Sequence, residues 1–195
     1  MISGDLKSIL SPKIPSVGTT LFVSIDGHGG SGKTTLSNLL GEHLGAEIVR
    51  TDDFASWDNP ADWWPLVIER VFEPIAQGSA TLSYPRSKWW KDHDPEPVKD
   101  KRVTPIMILE GVSSLRKEFR KFVGFGIFVD IPEEICLRRG VERDLEAGTD
   151  TREKLEELWK DWIKEENVYF ERDKPKDYAD IIVDGTRAFE AQLGI

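Results

Sequence analysis

The chain has 195 residues, 39% of them hydrophobic, with 26 Lys+Arg against 35 Asp+Glu for a formal charge of −9. That length gives room for one good core rather than two independent domains, and the lone Cys136 excludes a disulfide scaffold. No apolar run approaches the ~20 residues that cross a bilayer. The acidic balance opposes the counterion-release term behind non-specific nucleic-acid binding, so any phosphate-bearing ligand must be a small one held by a local site.

Residues 1–18 hold Gly4, Pro12, Pro15 and Gly18 with little periodicity, and read as an N-terminal arm with one helical turn around Leu6 to Leu10. They lack the basic start, apolar core and small-residue cleavage site of a signal peptide, so a cytoplasmic location is expected. The single domain, 19–195, then alternates strand-like and helix-like runs. TLFVSI (20–25) precedes a helix from Lys33, and EIVRT (47–51) precedes a helical stretch from Pro60 to Gln77. The run YPRSKWWKDHDPEPVKDK (84–101) is dense in Pro, Asp, Lys and Trp and reads as a long surface excursion near the ligand. IMIL (106–109) and GIFVDI (126–131) are short apolar strands of the kind buried on both faces, a helix begins near Pro132, and IIVD (181–184) supplies a fifth strand. Between them, Leu155, Leu158, Trp159 and Trp162 fall at helical spacing in a long charged helix over 151–172. Five strands with intervening helices predict an α/β fold with a doubly wound parallel sheet.

The strand before Gly27 runs into Gly27-His28-Gly29-Gly30-Ser31-Gly32-Lys33-Thr34, which matches G-x-x-x-x-G-K-[ST], with Leu36, Leu39, Leu40 and Leu44 continuing as a helix. Glycines there let backbone N–H groups converge on phosphate oxygens, and the helix N-terminus adds its positive end. Gly27, Gly29, Gly30, Ser31, Gly32, Lys33, Thr34 and Thr35 are the expected nucleotide-binding residues. Lys33 would neutralise β/γ oxygens and Thr34 would hold Mg²⁺. The lysine and threonine at the helix mouth favour a nucleoside triphosphate over a dinucleotide.

A phosphate loop by itself says binding. No N-K-x-D tetrapeptide for reading guanine occurs, and the third strand ends Leu109-Glu110-Gly111 rather than in the Asp-Glu of many motor ATPases. A phosphotransferase needs a proton acceptor and mobile cations, and both have candidates. Asp52 and Asp53 end a strand on the edge where the loop opens, with Asp53 equally readable as a turn aspartate. Glu110 could orient a metal-bound water. Arg139 and Arg143, four apart on one helix face, could clamp the transferring group from a lid spanning about 138–152, while Arg138 is offset.

These residues together resemble the uridine kinase group of P-loop nucleoside kinases, over roughly 20–185. The resemblance rests on Gly27 to Thr35, Asp52-Asp53-Phe54, Ile108 to Gly111, Ile127 to Asp130 followed by Arg139 to Asp144, and Tyr178 to Val183. It implies ATP and Mg²⁺, strand order 2-3-1-4-5 and transfer to a primary hydroxyl such as a nucleoside 5′-OH. Asp52 then falls at the proton acceptor, also beside the metal, Glu110 at the magnesium-side glutamate, and Arg139 and Arg143 at lid arginines. On the acceptor side Pro85-Arg86-Ser87-Lys88-Trp89 replaces Pro-x-Tyr-Asp-Phe, and Gly140 stands where an arginine is common. Nicotinamide riboside kinases share the Asp-Asp-Phe segment and stay open, with Asp53, Phe54, Trp57, Arg86 and Trp89 as weaker acceptor candidates. Trp63, Trp64 and Trp90 add to the aromatic supply for a flat acceptor. A nucleotide kinase using Arg86 and Lys88 for an acceptor phosphate, and a non-catalytic ATP sensor, are the competing readings.

Overall fold

The computed structural model describes residues 5–56, 59, 62–87 and 95–195. Five parallel strands form the sheet: β1 (Leu21–Gly27), β2 (Glu47–Arg50), β5 (Ile106–Glu110), β6 (Phe125–Asp130) and β7 (Ile181–Asp184). Their order is β2-β5-β1-β6-β7, which is 2-3-1-4-5 when only the sheet's own strands are counted. The central strand β1 pairs Val23 with Ile108 on one side and Phe125 on the other. Its seven residues are all buried, as an apolar strand covered on both faces must be.

Alternation along β1 builds two cores. Phe22 points into one with Val49, Phe72, Met107 and Phe119, while Val23 and Ile25 point into the other with Leu36, Leu40, Ile127 and Cys136. The first face is covered by one continuous helical stretch, α3 (Trp64–Val67), a π-helical segment Ile68–Phe72 and α4 (Glu73–Ala76). The second is covered by α2 (Lys33–Leu44), part of α5 (Glu133–Glu146) and α8 (Phe189–Leu193). The short α1 (Leu6–Leu10) lies on that same side, with Leu6 and Leu10 buried in its core. The leading segment is thus packed onto the sheet's helical layer.

Two expectations need correction. The run from 84 to 101 does not read as surface excursion throughout: its ends form an antiparallel hairpin, β3 (Thr81–Tyr84) and β4 (Val98–Arg102), separate from the main sheet. Leu82 and Tyr84 are buried while Thr81 and Ser83 are exposed, an alternation hidden by the Pro and charge content downstream. The expected helix from Pro60 is described from Trp64 and is π-wound in its middle. Residue Pro60 itself lies outside the described residues, as do Trp57, Lys88, Trp89 and Trp90.

The charged run past 151 is the helix α6 (Arg152–Asp173), 22 residues long, ended by Lys174 in the left-handed region and by Pro175, the first residue of α7 (Pro175–Tyr178). Among the described residues no helix is long and apolar enough to cross a membrane.

Candidate active site

Every parallel strand presents its C-terminal end to one edge of the sheet, and the phosphate loop, the Asp52-Asp53 turn and Glu110 all lie there. The phosphate loop leaves β1 and enters α2, whose N-terminal Gly32 is left-handed at φ 102° and lacks a side-chain cap, leaving the first amides for a ligand. Lys33 is 6% exposed and its Nζ donates to the His28 carbonyl at 2.7 Å, so the lysine lies folded along the loop. Ser31 Oγ is buried in this loop with no hydrogen-bond partner, a polar atom with capacity for an oxyanion's surroundings.

Asp52 lies in a 3-10 turn, Thr51–Asp53, directly after β2. The residue is exposed overall, yet protein crowds its carboxyl group. That crowding holds its carboxyl above the ordinary range, against the pull of Lys33, Arg143 and Arg50, while Glu166 adds to the rise. Glu110 ends β5 and is 5% exposed. Arg50 Nη1 donates to its Oε2 at 2.8 Å, and Thr34 Oγ1 donates to its Oε1 at 3.3 Å. Burial raises the Glu110 carboxyl too, with Lys33 and Arg50 opposing and Asp52 adding. The donors at Thr34, Glu110 and Asp52 are hard oxygens, the chemistry Mg²⁺ requires, so this group of side chains fits that ion.

Gly111 fixes how β5 meets the turn after β2. Its φ is +140°, and a Cβ there would stand 1.8 Å from Thr51 Oγ1, at the root of the turn that carries Asp52. Gly111→Ala should therefore lose about 2–4 kcal/mol of stability, from backbone strain plus overpacking. A shift of the urea midpoint with unchanged slope checks this; a midpoint within error of wild type would show that the Thr51–Gly111 contact does not fix the site.

Of the arginines, Arg139 Nη1 donates to the Gly185 carbonyl at 3.1 Å, in the loop after β7 that abuts Ser31. Arg143 is solvent-facing, ion-paired with Asp144 at 2.8 Å and stacked on Trp159 with its guanidinium 5.3 Å from the ring centroid. Its charge also reaches Asp52. The two arginines are four apart on one helix but have different partners, the Gly185 carbonyl for Arg139 and Asp144 with Trp159 for Arg143. Arg138 is exposed on the same helix.

The acceptor-side candidates are largely engaged with one another. Arg86 Nε pairs with Asp53 Oδ1 at 2.9 Å and Tyr84 donates to Asp53 Oδ2 at 3.3 Å. Ser87 N–H donates to the Asp53 carbonyl and Ser87 Oγ to that of Phe54, so the hairpin is fastened to the Asp-Asp-Phe turn. Phe54 is 1% exposed and packs on Tyr84, which places its side chain in the core. Trp63 is likewise a core residue, beside Phe119 and the buried Arg116.

The sequence reading missed Asp26. This carboxylate at the end of β1 is fully buried and accepts from the N–H groups of Gly27, Ser113 and Leu115 and from Tyr169 Oη at 2.6 Å. It joins the root of the phosphate loop to the loop after β5 and to α6. An acidic residue closing an otherwise apolar strand was the available signal.

Comparison with known proteins shows the family to which the chain belongs. The Phosphoribulokinase / Uridine kinase family matches residues 66–190. The chain belongs to this family. A uridine kinase of Borrelia duttonii is 25% identical over 178 residues, covering 83% of this chain and 84% of its own length. One from Pectobacterium atrosepticum is 22% identical over 187 residues, covering 84% and 86%. The structure of a possible uridine kinase from Bacillus stearothermophilus superposes with a TM-score of 0.64 at 23% identity, over 92% of this chain and 95% of that one. That superposition shows the shared fold. Family membership makes the chain a P-loop kinase of the small-molecule type and implies use of ATP; the matched span begins beyond Lys33 and Asp52, whose placement rests on the geometry above.

Proposed function

We propose that the protein transfers the γ-phosphoryl group of ATP to a primary hydroxyl of a small molecule, a nucleoside or related riboside. The observation that supports this most is the meeting of Asp52, Glu110, Lys33 and Arg143 at one strand edge, close enough that the charges of Lys33 and Arg143 bear on Asp52, and those of Lys33 and Asp52 on Glu110. A nucleotide-binding module that only senses ATP has no use for a proton-accepting carboxylate beside the phosphate loop. A nucleotide kinase would need cations for the acceptor phosphate; Arg86 is already paired with Asp53, and Lys88 lies outside the described residues.

In this reading the amides of Gly30 to Thr35 and Lys33 hold the triphosphate, and Asp52 accepts the proton of the acceptor hydroxyl as its oxygen approaches the γ-phosphorus in line. Mg²⁺ held by Thr34, Glu110 and Asp52 would neutralise the developing charge. Asp53, Tyr84 and Arg86 form the wall on the acceptor side, with Trp57 and Trp89 as further candidates. Uridine is the acceptor named for the relatives above, and a riboside of nicotinamide type is the alternative the Asp-Asp-Phe turn supports.

Arg139 and Arg143 act on the transition state, where charge spreads onto the equatorial oxygens. Arg143→Ala should lower kcat by on the order of 10² while the ATP dissociation constant moves much less, as calorimetry and steady-state rates would show. Equal losses in binding and turnover would place Arg143 in the ground state instead. The acceptor itself is found by screening ADP formation over nucleosides, riboside cofactor precursors, pantothenate and sugars. A riboside among the active compounds supports the reading, and activity confined to nucleoside monophosphates overturns it.

A further inference from the structure

One face of α6 is applied directly to the phosphate loop. Glu166 Oε1 and Oε2 accept from the Gly29 N–H at 3.1 and 3.3 Å, and the His28 Nδ1–H donates to Oε2 at 2.7 Å. Both side chains are nearly buried, at 13% and 12% exposure, and Phe170 meets the His28 ring edge-on at 4.5 Å. Three residues on from Glu166, Tyr169 donates to Asp26 at the loop's root. Seven residues back, Trp159 occupies the space a side chain at Gly29 would need, since a Cβ there would fall 2.8 Å from its ring.

The same Trp159 ties α6 to α5. Its ring lies 2.4 Å from the position of a Cβ on Gly140, and its Nε1 donates to Asp144 Oδ2 at 2.8 Å. That contact gives a physical reason for glycine at 140, where the resembled kinases often have arginine: any side chain would displace the indole. The glycine at 29 has the same reason. Its amide is engaged by Glu166, and its missing Cβ makes room for α6.

We propose that Glu166 is a positioning residue of the phosphate loop, which through Gly29 and His28 couples the setting of the α5–α6 pair, and so of Arg139 and Arg143, to the binding of the nucleotide's phosphates. Two charge-assisted bonds from one carboxylate hold the first half of the loop, His28-Gly29, while α2 holds the second half. A loop fixed at both ends presents its amides without further ordering when the triphosphate arrives. Because the carboxylate is borne by the helix that follows the arginine-bearing one, a shift of α5 against the sheet is passed to the loop through Trp159 and Glu166. This rests on the ATP-dependent reading above for its consequence, and on the contacts of Glu166 and Trp159 for its geometry.

The test compares Glu166→Ala with Glu166→Gln, whose amide oxygen still accepts from Gly29 and whose amide nitrogen can still meet His28. Amide hydrogen exchange at Gly29 in the nucleotide-free protein should be about tenfold faster in the alanine variant and near wild type in the glutamine variant. MgATP binding by calorimetry should weaken about tenfold in the alanine variant, with kcat at saturating ATP changed much less, and should be largely restored in the glutamine variant. Unchanged exchange and unchanged binding in the alanine variant would overturn the proposal. Tighter ATP binding would overturn it in the other direction, showing that the carboxylate competes with phosphate. If the wild type binds no ATP, the kinase reading fails and Gly29 exchange alone still decides the role of Glu166. Should the alanine variant not fold, Glu166→Asp, whose carboxylate is one methylene short of Gly29 and His28, takes its place in the same comparison, with exchange at Gly29 accelerated in it and preserved in Glu166→Gln.

Discussion

Lys33→Ala is expected to lose phosphoryl transfer by on the order of 10³-fold or more while the protein stays folded. Lys33 is the cation inside the phosphate loop, and its charge also lowers the proton affinity of both Asp52 and Glu110. The packing of α2 rests on Leu36 and Leu40, which the substitution leaves in place. Rates of ADP formation, with a thermal melt to establish folding, check this. Turnover within a fewfold of wild type would mean that the loop does not hold the reacting phosphates.

Asp52→Asn is expected to lower kcat by roughly 10²–10⁴ with ATP affinity little changed, the usual contribution of a positioned base. The pH dependence gives the second half of this test. Crowding by protein raises the Asp52 carboxyl above the ordinary aspartate range, and the base acts only when ionised. The wild-type rate should therefore fall as the pH drops through a value above the ordinary aspartate pKa of about 4, and this acid limb should be missing in Asp52→Asn. Asp53 is held on both oxygens, by Arg86 and by Tyr84. If Asp53→Asn slowed turnover more than Asp52→Asn, the two roles would be exchanged.

The parallel sheet was legible because its strands are short apolar runs bounded by Gly and Pro, and because parallel pairing demands helical crossovers of visible 3.6-residue period. The phosphate loop was legible because its chemistry restricts residue type at fixed spacing. Charge hid the rest. In β4 the run Lys99-Asp100-Lys101-Arg102 follows Val98 and resembles a loop, since a hairpin edge facing water needs no apolar residues. Glu166 is indistinguishable in sequence from its neighbour Glu165 on a helix face that reads as solvated. Only the spacing to Trp159, Tyr169 and Phe170, on one side of α6, marks it. Phe54 illustrates the opposite error, a motif residue assigned to the ligand whose side chain is core. Asp26 was passed over because a buried carboxylate is recognised by its four donors, which come from segments up to 143 positions away in the chain.

The central claim is that Asp52 and the phosphate loop act together to move the γ-phosphoryl onto a hydroxyl. Phosphorus NMR of MgATP with an active acceptor measures this directly. ADP and a phosphomonoester of the acceptor should appear in equal amounts, and both should vanish together in Asp52→Asn over the time the wild type needs for many turnovers. Release of inorganic phosphate without an ester, or ester formation at the wild-type rate in Asp52→Asn, would contradict it.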